Sequence, residues 1–267
     1  MKKKRPIGIF DSGMGGLTVV KECMRILPRE DIVYFGDTAR VPYGPKSKET
    51  VVRFSIENIL FLLKYNVKMI IVACNTSSSV ALPTLKHHFK IPILGVIEPG
   101  AQKALNLTKN KKVGIIGTRT TINSGAYRKY IHNNSSKINV YSKCCPLFVP
   151  LVEEGWFNTQ ITKQVAREYL KPFKANGIDT IVLGCTHYPL LKPVIRQVLG
   201  NKVKLVDSAK QVAQNAKLIL QKEKLLEMGD KKGKISFFVS DEPDNFSRQG
   251  KRFLGTVLKT VKKVSNV

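Results

Sequence analysis

Ile70-Ile-Val-Ala-Cys-Asn-Thr-Ser-Ser-Ser79 reads as a buried strand running into a cap, and Ile181-Val-Leu-Gly-Cys-Thr-His-Tyr188 repeats the pattern far downstream. In each, a short β-branched apolar run ends in a small residue, then one cysteine, then residues able to cap a helix. Continuous apolar runs of this length fit strands covered on both faces, as in parallel sheets. Open α/β sheets of that kind take their ligands at the C-terminal ends of strands. Two thiols, Cys74 and Cys185, are thereby predicted at two strand ends.

The stretches upstream of these runs also match. Gly8-Ile-Phe-Asp-Ser12 and Gly114-Ile-Ile-Gly-Thr118 share a strand-into-turn form. Gly8 and Gly114 stand 106 residues apart, and Cys74 and Cys185 stand 111 apart. Two separate landmarks with nearly one offset imply an internal duplication. The fold class predicted is therefore α/β, with two similar flavodoxin-like domains related by pseudo-twofold symmetry and an active site in the cleft between them.

Along the chain, residues 6–10 read as a strand, Asp11-Ser-Gly-Met-Gly-Gly16 as a tight turn and 17–26 as a helix. The turn is neither G-x-G-x-x-G nor a P-loop, so a dinucleotide or nucleoside triphosphate reading is weak. Its N–H groups and the Ser12 hydroxyl suit an oxygen anion at a helix start. A strand over 31–35 feeds a loop over 36–45 that is dense in glycine, proline and hydrogen-bonding groups. Ser47 is a cap for a helix to about 64, although Thr50 stands where a capping box has Glu or Gln. After the first cysteine strand we expect a helix to about 86, a strand over 91–97 and chain punctuation at Glu98-Pro-Gly100. The second half offers a strand over 112–116, a turn over 117–121, a helix over 122–132 and a strand near 139–141. Residues 145–155 read as a loop or short strand delivering an acid to the cleft. A helix over 159–174, the second cysteine strand, a helix begun by Pro189 and a strand over 202–206 follow. A helix over 209–226, a charged turn over 231–234, a strand over 235–239 and a closing helix over 246–262 complete the chain.

The 267 residues are ample for a large core, and 43% hydrophobic content is ordinary for a globular enzyme. No apolar run approaches a membrane span, and residues 7–10 are too short for the apolar region of a signal peptide, so a cytoplasmic setting is expected. Five cysteines without a CxxC argue against zinc ribbons and disulfide frameworks and fit reduced thiols. The net charge of +26 raises a nucleic-acid reading. The basic residues are dispersed, however, and no helix-turn-helix, RNP, KH or zinc-finger pattern is present. Attraction of an anionic substrate or a general lysine bias explains the charge as well, leaving at most nonspecific nucleic-acid contact.

Cysteines between a strand end and a helix start sit where free N–H groups and the helix dipole lower a thiol pKa. One such cysteine with a histidine would suggest a covalent nucleophile, but no triad pattern accompanies it. Two from duplicated halves suggest two acid/base groups facing one carbon from opposite sides. If one removes a proton and the other returns one to the opposite face, configuration inverts without a cofactor. The carbanion formed beside a carboxylate needs fixed donors, which Ser12, Asn75, Thr76 and Thr186 supply. Cys23, Cys144 and Cys145 lack that context and read as structural.

Phe10-Asp-Ser-Gly-Met-Gly-Gly-Leu-Thr18, Tyr34-Phe-Gly-Asp37, Pro42-Tyr-Gly44, Ala73-Cys-Asn-Thr76, Pro146-Leu-Phe-Val-Pro-Leu-Val-Glu153 and Gly184-Cys-Thr-His187 occur in that order. Together they resemble the bacterial glutamate racemases over nearly the full length. The resemblance implies a cofactor-independent, two-base interconversion of L- and D-glutamate that supplies D-glutamate for peptidoglycan. It places the catalytic thiols on Cys74 and Cys185, with Asp11, Glu153 and His187 assisting. It places substrate binding on Asp11, Ser12, Tyr43, Gly44, Asn75, Thr76, Thr186 and His187, and on Thr118 and Thr121 in a turn near the carboxylates. It also implies that the C-terminal segment returns to the first domain, giving residues 1–97 plus 208–267 and residues 98–207 as the two domains. A homodimer and no metal are expected. Aspartate racemases share this fold and chemistry; Asn75-Thr76-Ser77 and Cys185-Thr-His-Tyr188 favour glutamate.

Overall fold

The computed structural model describes residues 2–258 and 260–264. Its first half lays down β1 (Ile7–Asp11), α1 (Leu17–Ile26), β2 (Ile32–Gly36), α2 (Lys48–Leu63), β3 (Met69–Val72), α3 (Asn75–Val80), α4 (Leu82–His88), β4 (Ile93–Gly95) and α5 (Ile97–Leu107). The second half lays down β5 (Lys112–Gly117), α6 (Arg119–Asn123), α7 (Ala126–Asn134), β6 (Asn139–Cys144), α8 (Phe148–Glu153), α9 (Gln160–Ala175), β7 (Thr180–Gly184), α10 (Lys192–Leu199) and β8 (Lys204–Val206). The chain then forms α11 (Ala209–Lys222), β9 (Ile235–Val239), α12 (Pro243–Leu254) and β10 (Val261–Lys263).

Two all-parallel sheets result, ordered β10-β9-β2-β1-β3-β4 and β6-β5-β7-β8. Within each half, the first four strands take the same spatial order, second-first-third-fourth, which is the flavodoxin-like order. The duplicated sequence thus gives a duplicated topology. β9 and β10 extend the first sheet past β2. All residues of β1, β2, β3 and β7 are buried, as strands covered on both faces must be. One apolar core carries Ile9 and Ile71 from the first sheet and Ile181 and Leu183 from the second, so the sheets share an interior. No helix among the described residues is long and apolar enough to cross a membrane.

Several local expectations are corrected. Residues 98–100 do not punctuate the chain. Pro99 stands in the first turn of α5, where its missing N–H leaves no hydrogen bond unmade. The strand expected over 91–97 is only Ile93–Gly95. Residues 148–153 are the helix α8, not a strand, which puts Val149 and Glu153 one turn apart on the same face. The helix expected over 122–132 is split at Gly125, whose φ of 66° is left-handed. The long helix after Ser208 stops at Lys222, before Lys224 with φ 56°. The closing helix ends at Leu254 because Gly255 takes the left-handed cap conformation. The chain beyond that cap forms β10, and residue 259 of the expected helix lies outside the described residues.

Candidate active site

In a sheet ordered second-first-third-fourth, the chain leaves the first and third strands in opposite directions, opening a crevice at their C-terminal ends. Asp11 ends β1 and Cys74 follows β3 beside it; Thr118 follows β5 and Cys185 follows β7 beside it. Each thiol therefore stands at the crevice of its own sheet. The two crevices form one cavity of about 480 Å³, lined by Cys74 and Cys185 together.

Eleven of the thirteen residues singled out from sequence line this cavity: Ser12, Tyr43, Gly44, Cys74, Asn75, Thr76, Thr118, Glu153, Cys185, Thr186 and His187. Asp11 and Thr121 do not. Asp11 is fully buried beneath the cavity, accepting the Gly13 N–H at 3.0 Å and the Thr186 hydroxyl at 3.4 Å. Thr121 lies behind Thr118, with 3.0 Å between their hydroxyl oxygens. Sequence reasoning did not single out Arg119, Val149 and Pro150, which also line the wall, together with Val41, Pro42, Pro45 and Pro146. Val149 and Pro150 lie inside the run that carries Glu153, but only its helical turn brings them to the cavity.

The surroundings of the two sulfurs differ. Cys74 caps α3 and its thiol reaches the Ser12 hydroxyl at 3.6 Å. Burial, reinforced by the negative charge of Asp11, pushes this thiol up to about 11, contrary to the lowering expected from the helix start. A one-and-a-half-turn helix supplies too little dipole to overcome that desolvation. Burial likewise raises Asp11, against the charge of His187 and the N–H groups of Gly13 and Gly16. On the other side, His187 Nδ1 lies 3.8 Å from Cys185 Sγ and Nε2 lies 3.0 Å from Glu153 Oε1. Burial works to lower His187, but the hydrogen bonds and charges of Cys185 and Glu153 outweigh it and push the imidazole up to about 10. The Glu153 and Cys185 contacts thus favour the protonated form of His187, whose Nδ1 faces the Cys185 sulfur.

The halves meet closely around the cavity. Thr76 and Thr118 approach to 2.9 Å across the cleft, and the Thr120 N–H and hydroxyl both donate to Gly44 O, at 3.1 and 2.9 Å. A Cβ on Gly44 would stand 2.8 Å from Thr118 Cβ, and one on Gly15 would stand 2.6 Å from His187 Nδ1. Glycine at both positions is what lets the loops touch. Tyr43 is fixed from behind by Asp37 and by the Asn58 amide at 3.1 Å. Cys23, Cys144 and Cys145 take no part in the lining, and among the described residues no group of three His, Cys, Asp or Glu is placed to hold a metal.

The Asp/Glu/Hydantoin racemase family model matches residues 7–216. The glutamate racemase of Geobacter metallireducens is 51% identical over 261 residues, covering 98% of this chain and 97% of that protein. The solved glutamate racemase isoform RacE1 from Bacillus anthracis superposes with a TM-score of 0.94 at 40% identity, covering 98% of each chain. The glutamate racemase from Francisella tularensis, solved in complex with D-glutamate, gives 0.92 at 44% identity, again covering 98% of each. A likeness that runs through both sheets and preserves their mutual placement reaches far beyond a shared motif: the chain belongs to the Asp/Glu/Hydantoin racemase family.

Proposed function

We propose that this protein is a glutamate racemase that works through two thiols. The carrying observation is that Cys74 and Cys185, at equivalent strand ends of a duplicated fold, line one cavity. Relatives and solved structures of nearly equal length that are named glutamate racemases support the substrate. In one direction, a thiolate takes the α-proton, breaking the Cα–H bond and forming S–H. The opposite thiol gives its proton to the other face of the carbanion, and the reverse reaction exchanges the roles. The excess charge spreads onto the α-carboxylate, where the Asn75 amide and the hydroxyls of Ser12, Thr76, Thr118 and Thr186 are the available donors. Glu153 holds His187, and His187 faces Cys185; Asp11 acts from below through the Ser12-Gly13 turn and Thr186. Thr121 supports Thr118. The substrate's ammonium group supplies the positive charge that a buried thiolate at Cys74 needs.

No cofactor is required by this scheme, and D-glutamate for peptidoglycan is the product the family resemblance implies. The two working domains are residues 1–97 plus 208–267 and residues 98–207, with residues 1, 259 and 265–267 outside those described. The topology that returns β9 and β10 to the first sheet supports this division. A homodimer in the cytoplasm rests on the family resemblance and on five free cysteines. The dispersed charge is assigned no nucleic-acid role.

The test is α-proton exchange followed by NMR in D2O, with cofactor-free protein and L-glutamate, D-glutamate or L-aspartate supplied separately. Exchange with loss of optical rotation for both glutamates, and not for aspartate, is expected. Cys74→Ser and Cys185→Ser are each expected to abolish racemisation nearly completely while leaving the circular dichroism spectrum intact. Substantial turnover by either variant contradicts the two-thiol assignment, and exchange of aspartate alone contradicts the substrate.

A further inference from the structure

Tyr127 lies behind the cavity wall, on α7 of the second half, and is 2% exposed. Its hydroxyl crosses to the first half and donates to Asn75 Oδ1 at 2.7 Å, Asn75 being the residue after Cys74. The same ring packs on Gly184, the residue before Cys185, where a Cβ would stand 3.2 Å from Tyr127 Cε2. It also packs on Gly100, where a Cβ would stand 3.4 Å from the Tyr127 oxygen. Three tight neighbours leave the ring one position. A single side chain from the second half thus touches the backbone entering one thiol and the side chain following the other.

The direction of that hydrogen bond has a chemical consequence. A side-chain amide presents an acceptor at one end and two donors at the other, and rotation by half a turn exchanges them. With Oδ1 occupied by the Tyr127 hydroxyl, Nδ2 is the end left for the cavity that Asn75 lines. A donor there attracts a carboxylate; the carbonyl oxygen in its place would repel one. We propose that Tyr127 is a positioning residue that fixes the Asn75 amide with its N–H donors toward the substrate carboxylate and keys that donor to the Cys185 strand end. This rests on the reading of the cavity as an amino-dicarboxylate site.

Tyr127→Phe keeps the ring on Gly184 and removes only the hydroxyl. Steady-state racemisation is measured for the parent, Tyr127→Phe, Asn75→Ala and the double variant. Tyr127→Phe is expected to lower kcat/KM about tenfold, chiefly through KM, as loss of one hydrogen bond directed at a charged group predicts. Asn75→Ala is expected to lose at least as much, and adding Tyr127→Phe to it is expected to change kcat/KM by less than about twofold. The inference is overturned if Tyr127→Phe stays within about twofold of the parent, or if it costs the same factor without Asn75, which is what a purely structural role predicts. A second readout needs no turnover: the Asn75 side-chain amide resonances in 15N-labelled protein, assigned through Asn75→Ala. Their 15N and 1H shifts are expected to be displaced from free-amide values in the parent, as a hydrogen bond accepted by the carbonyl produces, and to move toward those values in Tyr127→Phe; unchanged shifts overturn the inference. If the parent racemises neither glutamate, the substrate reading falls, and the amide spectrum still decides the role of Tyr127.

Discussion

Gly15→Ala probes how closely the halves must meet. The added Cβ would stand 2.6 Å from His187 Nδ1 and 2.8 Å from its Cε1, with Thr186 Oγ1 also in its way. The Thr186 hydroxyl can rotate aside, giving up a 3.4 Å contact to Asp11 and its place among the carboxylate donors. The imidazole cannot. It is held by Glu153 at 3.0 Å, faces Cys185 at 3.8 Å and lies edge-on to the Phe253 ring at 5.4 Å between centroids. Ordinary contact begins near 3.4 Å, so the ring or the whole turn must retreat by about 0.8 Å. A misplacement of about 1 Å at reacting groups costs on the order of 100-fold in rate. Overpacking of this kind costs about 1–3 kcal/mol of stability, or a few degrees in Tm for a chain of this size. The expected outcome is therefore a fall of about 100-fold in kcat/KM for both enantiomers, with a folded protein in calorimetry. Polarimetric rates for Gly15→Ala within about threefold of the parent would refute the argument that His187 is fixed at contact distance.

Three other outcomes follow from the same structure. His187 is raised to about 10 from an ordinary value of 6.5, so the stability it contributes is complete below about pH 6.5 and is lost as pH climbs toward 10. The Tm gap between the parent and His187→Gln should narrow over that window; a constant gap would count against the Glu153–His187–Cys185 arrangement. Lys68 and Glu30 form an ion pair at 2.5 Å, each side chain 1% exposed, at the ends of the strands away from the cavity. Lys68→Met alone should cost about 3–5 kcal/mol in urea unfolding, and Lys68→Met with Glu30→Leu should recover most of it at unchanged kcat/KM. A double variant as unstable as the single would contradict that account. Asp37 is fully buried and accepts from Tyr43, from Arg40 Nε at 2.7 Å and from Ser240 at 3.0 Å. Asp37→Asn should lower stability by about 3 kcal/mol and raise KM several-fold, because the loop carrying Tyr43 and Gly44 loses its anchor. An unchanged KM would show that the loop is held by its contacts to Thr118 and Thr120 alone.

The strands were legible in sequence because full burial on both faces demands unbroken apolar runs, and Ile70–Val72 and Ile181–Leu183 have nothing else to be. Capping was legible at Ser47, which accepts the Thr50 N–H, whereas the same three-residue caps at Thr118 and Thr159 emerged only in the structure. The helix at Phe148–Glu153 was not, because six residues containing a proline carry too little periodicity to separate helix from strand. Nor was the stop at Gly255, since a glycine marks a helix end only once its φ of 86° is known.

By itself the sequence determined the parallel α/β class, the duplication and the two thiol positions, since burial and strand-end chemistry are written in local residue order. Tertiary structure decided how the two halves close on one another. It put Asp11 beneath the cavity rather than in it, placed Tyr127 behind Asn75, set His187 between Cys185 and Glu153, and raised the Cys74 thiol instead of lowering it. Those outcomes depend on desolvation and on contacts between residues tens to more than a hundred positions apart. The energies of such contacts exist only once the chain has brought them within a few ångströms.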